Sequence, residues 1–156
     1  MRALVVTASN RAASGVYPDR SGPLVVEALA ALGFAVDGPE VVADGDPVEA
    51  ALRTAVTTGY DVVVTTGGTG LGPTDLTPEM TRRVLDREIP GIAEAIRAYG
   101  TATGVPAAAL SRGLAGLAGR TVVVNLPGSP GGVRDGMAVL GPLLTHAVEQ
   151  VAGSDH

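Results

Sequence analysis

Residues 61–79 read DVVVTTGGTGLGPTDLTPE, and the passage of this stretch from apolar to glycine-rich to helix-starting chemistry decides the fold. Val62, Val63 and Val64 form a β-branched run of the kind that fills an inner strand covered on both faces. Gly67, Gly68, Gly70 and Gly72 follow at once. Glycine has no Cβ to forbid positive φ, so at this density successive backbone N–H groups can turn toward one point and bind an anion. Thr77-Pro78-Glu79 then reads as an N-cap, a proline at the first helical position and an acidic first turn, which places a helix N-terminus behind the loop. A strand, a glycine turn and a helix also make an ordinary βα connection, and the glycines alone do not decide between the two. Asp75 shifts the balance. A carboxylate beside an anion-binding turn repels the anion unless a cation lies between them, so the pair suggests metal-bound phosphate.

Working outward, Ala3 to Ala8 fits a first central strand, followed by a polar loop from Ser9 to Arg20 that is longer than a plain connection needs. Ser21 reads as the cap of a helix carrying Leu24, Val25, Ala28, Leu29 and Leu32 on one face and ending at Gly33. Phe34 to Ala43 contains a second strand, broken by Gly38-Pro39, that runs into Asp44-Gly45-Asp46. Asp46-Pro47-Val48-Glu49 reads as a capping box for a helix reaching Gly59. A helix from about Pro78, interrupted near its middle by Pro90-Gly91, follows the glycine turn. Thr101 to Gly119 is rich in small residues and gives no clear period. Thr121 to Leu126 is a further strand, residues 127–132 (PGSPGG) a second glycine- and proline-rich turn, and the last helix carries Met137, Leu140, Leu144, Val148 and Val151.

Strands alternating with amphipathic helices imply an α/β fold: a single three-layer α/β/α domain over residues 1–156 with a mostly parallel sheet. In such sheets ligands bind beyond the carboxyl ends of the strands. The loops at Ser9–Ser21, Asp44–Asp46, Gly67–Asp75 and Pro127–Gly132 therefore converge on one edge, and their shared polar, glycine-bearing character favours a site there.

Composition narrows the chemistry. There is no lysine and no cysteine, which excludes a phosphate-binding lysine, a Schiff base, thiolate catalysis, disulfides and cysteine-held metals. The two histidines, His146 and His156, are too few for a histidine metal cluster and read as incidental. A net charge of −5 argues against general affinity for nucleic acid or anionic membranes. No run of eighteen apolar residues and no secretory signal is present, so the expectation is a soluble cytoplasmic protein. With one Phe, three Tyr and no Trp, a flavin-binding electron carrier lacks aromatic walls for its ring. No Gly-x-Ser-x-Gly elbow, P-loop or dinucleotide fingerprint is found. Phosphoryl or nucleotidyl transfer needs backbone cradles, a divalent cation held by carboxylates and little covalent help, and this inventory suits it.

Residues 65–70 (TTGGTG), Asp75-x-Thr77-Pro78-Glu79, Leu110-Ser111-Arg112 and residues 125–130 (NLPGSP), in this order and spacing and with Asp19-x-Ser21-Gly22 before them, carry a family resemblance. The chain resembles, over essentially its whole length, the molybdenum cofactor biosynthesis family that includes bacterial molybdopterin adenylyltransferase and the matching domains of plant and animal molybdenum-cofactor enzymes. The resemblance implies a molybdopterin-binding-domain-like fold, molybdopterin and ATP as substrates, Mg²⁺ as cofactor and a homotrimer. The implied reaction joins the terminal phosphate of molybdopterin to the α-phosphate of Mg-ATP and releases pyrophosphate. The family's functional carboxylates, catalytic and metal-holding, carry over onto Asp44 and Asp75. Thr66, Gly67, Gly68, Thr69 and Gly70 would cradle phosphates, Ser111 and Arg112 would meet the phosphate or dithiolene side of the pterin, and Pro127, Gly128, Ser129 and Pro130 would border the nucleotide.

The alternative within the same resemblance is a molybdopterin-binding protein without catalysis, or a molybdate-inserting relative. Structural duties alone explain some neighbours: Asp46 reads as a helix cap and Glu79 as compensation of the helix dipole. The family pattern commonly has arginine just before the motif aspartate, where this chain has Thr74.

Overall fold

The computed structural model describes residues 1–154, so the expectation for His156 lies outside the described residues. Six strands form one sheet in the order β2 (Ala35–Val42), β1 (Arg2–Ala8), β3 (Val62–Thr66), β6 (Thr121–Leu126), β5 (Ala115–Ala118), β4 (Arg87–Glu88). The first four run parallel, while β5 is antiparallel to both β6 and β4. Val62, Val63 and Val64 are each 0% exposed in the middle of this sheet, paired to β1 on one side and β6 on the other.

Strand alternation divides the core in two. Val62 and Val64 join Val5, Val122 and Val124 against the face covered by α2 (Gly22–Ala31), α5 (Pro90–Ala102) and α6 (Pro130–Ala152). Val63, with Val6 and Val123, faces α3 (Asp46–Thr58) and α4 (Thr77–Val84). Leu29, Leu140 and Leu144 fill the first layer and Leu52 the second, all 0% exposed. Burying a side chain of this size contributes about 1.5–3 kcal/mol. Two dry faces make this the three-layer α/β/α sandwich expected from the pattern.

Several local expectations are overturned. The segment after Pro78 is two helices: α4 ends at Val84, the short strand β4 intervenes, and Pro90 opens α5, where its missing N–H leaves no hydrogen bond unmade. The indistinct stretch from Thr101 holds a 3₁₀ turn, Pro106–Leu110, and then β5. Residues 115–118 (AGLA) carry no β-branched signal; register with β6 makes them a strand, and Gly116 admits the Arg87 carbonyl where a Cβ would collide. The loop after β1 contains a one-turn helix, α1 (Asn10–Ala13), whose Ala12 N–H donates to Ser9 Oγ at 3.2 Å. Ser21 makes no side-chain cap to α2; Asp19 Oδ1 accepts from Gly22 N at 3.0 Å instead. His146 lies on α6 with its Nε2 3.1 Å from Gln150 Nε2.

Candidate active site

The four loops that leave β1, β2, β3 and β6 do converge. Ser9 N donates to Val42 O at 2.9 Å and Asp44 N to Asn10 Oδ1 at 3.0 Å, which ties the first loop to the second. Gly67 N donates to Leu126 O at 3.1 Å and Thr66 Oγ1 to Pro127 O at 2.7 Å, which ties the third to the fourth. Gly67 and Gly68 have φ of 94° and 67°, a region that only glycine enters readily. A Cβ on Gly67 would meet the Ala8 carbonyl, and one on Gly68 would meet Thr77 and Asp44. The turn therefore needs both glycines, for conformation and for space. Gly70 and Gly72 serve differently: a Cβ there would lie 2.9 and 2.7 Å from Asp75 Oδ2.

Asp44 stands at the end of β2, where its Oδ1 accepts from Gly45 N at 2.8 Å, Leu76 N at 3.2 Å and Thr77 Oγ1 at 3.4 Å. Burial raises its carboxyl above the ordinary carboxylate range and the charge of Asp75 pushes the same way, while the Gly45, Leu76 and Thr77 bonds oppose the rise. Thr77 is thus no N-cap. It is the buried first residue of α4, with its hydroxyl turned to Asp44 and its N–H donated to Gly68 O at 3.1 Å. Asp46 caps nothing either, because Gly45 takes the cap position and leaves Asp46 as the exposed first residue of α3. Glu49 binds Arg53 and Arg83 and does not reach back to close the box.

Asp75 is held another way. Its Oδ2 accepts from Gly72 N at 2.9 Å, and its main chain is gripped by Arg112. Arg112 Nε donates to Gly70 O at 2.8 Å, its Nη2 to Asp75 O at 2.6 Å, its backbone N to Thr69 O at 2.9 Å, and its Nη1 pairs with Glu79. Three carbonyls of the glycine loop are thereby bound from outside by one residue. Hydrogen bonding to Arg112 draws the Glu79 carboxyl below its ordinary range, with burial opposing. The Leu-Ser-Arg arginine therefore clamps the loop, and Glu79 is its counterion, a duty beyond dipole compensation.

Two cavities open from this edge and share Gly68, Asp75 and Gly128. The smaller, about 570 Å³, lies between the β1 loop and the Asp44 side, with Arg11, Arg20 and Thr66 in its wall. The larger, about 720 Å³, takes in Thr69, Ser111, Pro127 and Ser129 and continues between α5, the 3₁₀ turn and the start of α6. Thr69 is buried, and its hydroxyl makes no hydrogen bond among the described residues. Ser111 Oγ accepts only a long bond, 3.4 Å, from Gly113 N. Ser129 Oγ accepts from Gly132 N at 3.0 Å and caps α6, so that helix begins at the cavity wall.

The sequence-predicted residues are thus brought together, but Thr66, Arg112 and Ser129 already serve bonds within the chain. Asn125, in the same motif as Pro127, is wholly structural: buried, it donates to Thr65 Oγ1 and Thr81 Oγ1 at 2.9 and 3.0 Å and accepts from Leu114 N at 3.0 Å. Sequence reasoning missed Asn10, which orients Asp44, and Arg97, whose Nη1 donates to Ser111 O and Gly113 O at 3.2 and 3.1 Å. Only the excess length of the first loop pointed toward Asn10.

Among the described residues no group of three or more His, Cys, Asp or Glu forms a protein-only metal cage, and neither Asp44 nor Asp75 is in an ion pair. Two unpaired carboxylates in mutual repulsion suit an ion that takes its other ligands from phosphates and water, as Mg²⁺ does. No helix among the described residues is long and apolar enough to cross a membrane.

A family model described as a probable molybdopterin binding domain matches residues 4–146. The chain is 37% identical over 154 residues to a molybdopterin adenylyltransferase of Helicobacter pylori, covering 96% of this chain and 87% of that protein. It is 38% identical over 155 residues to a molybdenum cofactor biosynthesis bifunctional protein of Synechococcus elongatus, covering 99% of this chain and 48% of that one, so it spans about half the length of that relative. A solved structure of MogA superposes with a TM-score of 0.94 at 55% identity, covering 97% of this chain and 99% of that chain.

Proposed function

Because this chain belongs to the molybdopterin-binding-domain family of molybdenum cofactor biosynthesis, alongside MogA and the molybdopterin adenylyltransferases, we propose that it transfers the adenylyl group of ATP to the terminal phosphate of molybdopterin. A molybdopterin phosphate oxygen forms a bond to the α-phosphorus of ATP. The bond from that phosphorus to the oxygen bridging the β-phosphate breaks, and pyrophosphate leaves with the electron pair. The attacking group is already an anion, so no side chain has to remove a proton.

The observation that supports this reading is the seam: two cavities meet at Gly68, Asp75 and Gly128, beside Asp44. A reaction joining two phosphate-bearing substrates needs two chambers with one shared end. Asp44 and Asp75 are the residues that would hold Mg²⁺. When bound, that ion supplies positive charge to the phosphate oxygens. The bare backbone at Gly68 and Gly128 lets phosphates approach closely, and the Thr69 hydroxyl is free to donate to one. Arg112 keeps the loop in shape, which holds the reacting geometry before the substrates arrive.

The test is direct. Purified protein incubated with molybdopterin and Mg-ATP is expected to give adenylyl-molybdopterin and pyrophosphate, read by mass spectrometry. Tight pterin binding with no adenylylated product would replace this reading with the binding-only one. A homotrimer is part of the proposal, and sedimentation of a stable monomer would remove it.

A further inference from the structure

Residues 111–114 form no regular element, yet they carry the arginine that clamps the glycine loop. Their place is set through the main chain. Leu114 N donates to Asn125 Oδ1 at 3.0 Å, and Leu114 O accepts from Asn125 N at 2.8 Å, which fixes the end that runs into β5. At the other end, Arg112 N donates to Thr69 O at 2.9 Å, while Ser111 O accepts from Arg97 Nη1 at 3.2 Å. Those two groups belong to one trans peptide and so point opposite ways. A single peptide plane is therefore pinned between the glycine loop and α5. The same Arg97 Nη1 also donates to Gly113 O at 3.1 Å, so one nitrogen bridges two carbonyls of the segment.

Arg97 stands on a rigid support, because Ile92, Ala93 and Ile96 of the same helix are buried in the core. It enters no ion pair among the described residues, so its guanidinium is committed to these two carbonyls alone. Water could satisfy carbonyls at a cavity wall, but water would not tether them to α5. We propose that Arg97 is a positioning residue for the seam: it holds the main chain of residues 111–113 where Arg112 reaches Gly70 O and Asp75 O, and so sets the place of Asp75 from two links away. This rests on the reading of Asp75 as an acid of the reacting centre and extends it to the residue that braces its clamp.

The experiment uses the full chain and two readouts: amide hydrogen exchange without substrates, and steady-state kinetics with molybdopterin and Mg-ATP. Arg97→Ala is expected to speed exchange across residues 68–76, the span that Arg112 clamps, and to lower kcat ~10-fold with both KM values changed less than ~2-fold. Arg97→Lys, which keeps a donor on the same helix face, should fall between wild type and Arg97→Ala in both readouts. The double variant Arg97→Ala/Arg112→Ala is expected to be no slower in kcat, and no faster in exchange over 68–76, than Arg112→Ala alone, because both residues act on Asp75 through one clamp. Exchange unchanged over 68–76 in Arg97→Ala would overturn the proposal, as would effects of the two substitutions that multiply. A rise in the molybdopterin KM alone would make Arg97 a ligand, and exchange quickened evenly over the whole chain would make it a general support of the fold; either would overturn it too. Exchange is read without turnover, so absent adenylyl transfer with the expected exchange pattern would remove only the catalytic reading, and transfer with exchange over 68–76 independent of Arg97 would remove only this one.

Discussion

The two carboxylates at the seam are fixed in opposite ways. Asp44 is held by its own carboxylate, one oxygen of which takes three bonds from Gly45, Leu76 and Thr77. Asp75 gives one oxygen to Gly72 N, and its position is set mainly through its carbonyl and that of Gly70, both gripped by Arg112. Each carboxylate keeps one oxygen without a partner among the described residues. The cost falls differently, since burial disfavours charge on Asp44 itself, whereas the clamp on Asp75 carries its charge on Arg112 and Glu79. One acid is placed by bonds to its own carboxylate and the other by a strut that grips its main chain.

The comparison breaks most sharply at Asp75. On the proposed function, Asp75→Asn is expected to lower adenylyl transfer by ~100-fold or more while molybdopterin binding persists, because the charge that would hold Mg²⁺ goes with little change of volume. Activity equal to wild type would end its assigned role. Next, Arg112→Ala is expected to cost ~10–100-fold in kcat, as misplacement of a reacting group does. It should also speed amide hydrogen exchange across residues 68–76. A loss confined to molybdopterin affinity, with exchange unchanged, would make Arg112 a ligand in place of a strut. Glu79→Gln should move both measurements the same way by only a few fold, since the carbonyl bonds of Arg112 remain. Its depressed carboxyl contributes stability above the ordinary carboxylate range, and that contribution is lost as pH falls through the lowered value.

The smallest effect concerns Asp44 and stability. Its carboxyl is raised in the fold, so the native state holds the proton more firmly than the unfolded chain does, and stability falls as pH rises from the unfolded value through the raised one. Asp44→Asn should therefore melt higher than wild type at neutral pH in the absence of Mg²⁺, with the gap closing toward acid. A variant that melts lower at neutral pH would show that the bonds to Gly45, Leu76 and Thr77 need the full charge.

Much of this site is legible in the residues. Val62 to Val64, the glycines after them and Asp75 lie within one stretch, so composition and spacing suffice to expect a strand, a turn and an acid near phosphate. What was misread depends on competition between nearby partners. Thr77 looks like a cap until Asp44, brought from another strand, claims its hydroxyl. Ser21 has the right residue type, but Asp19 reaches the same helix end. Glu79 has reason enough in the helix dipole, and only the arrival of Arg112 from beyond the next two helices gives it a partner.

By itself the sequence determined the layered sheet, the edge on which the loops gather and the family, because period, turn chemistry and motif order are written along the chain. Only the tertiary structure decided which polar groups are already bound to one another and which remain open to a ligand. Caps and clamps are contests between donors and acceptors far apart in sequence, and their outcome is set by distances that exist only once the layers have packed.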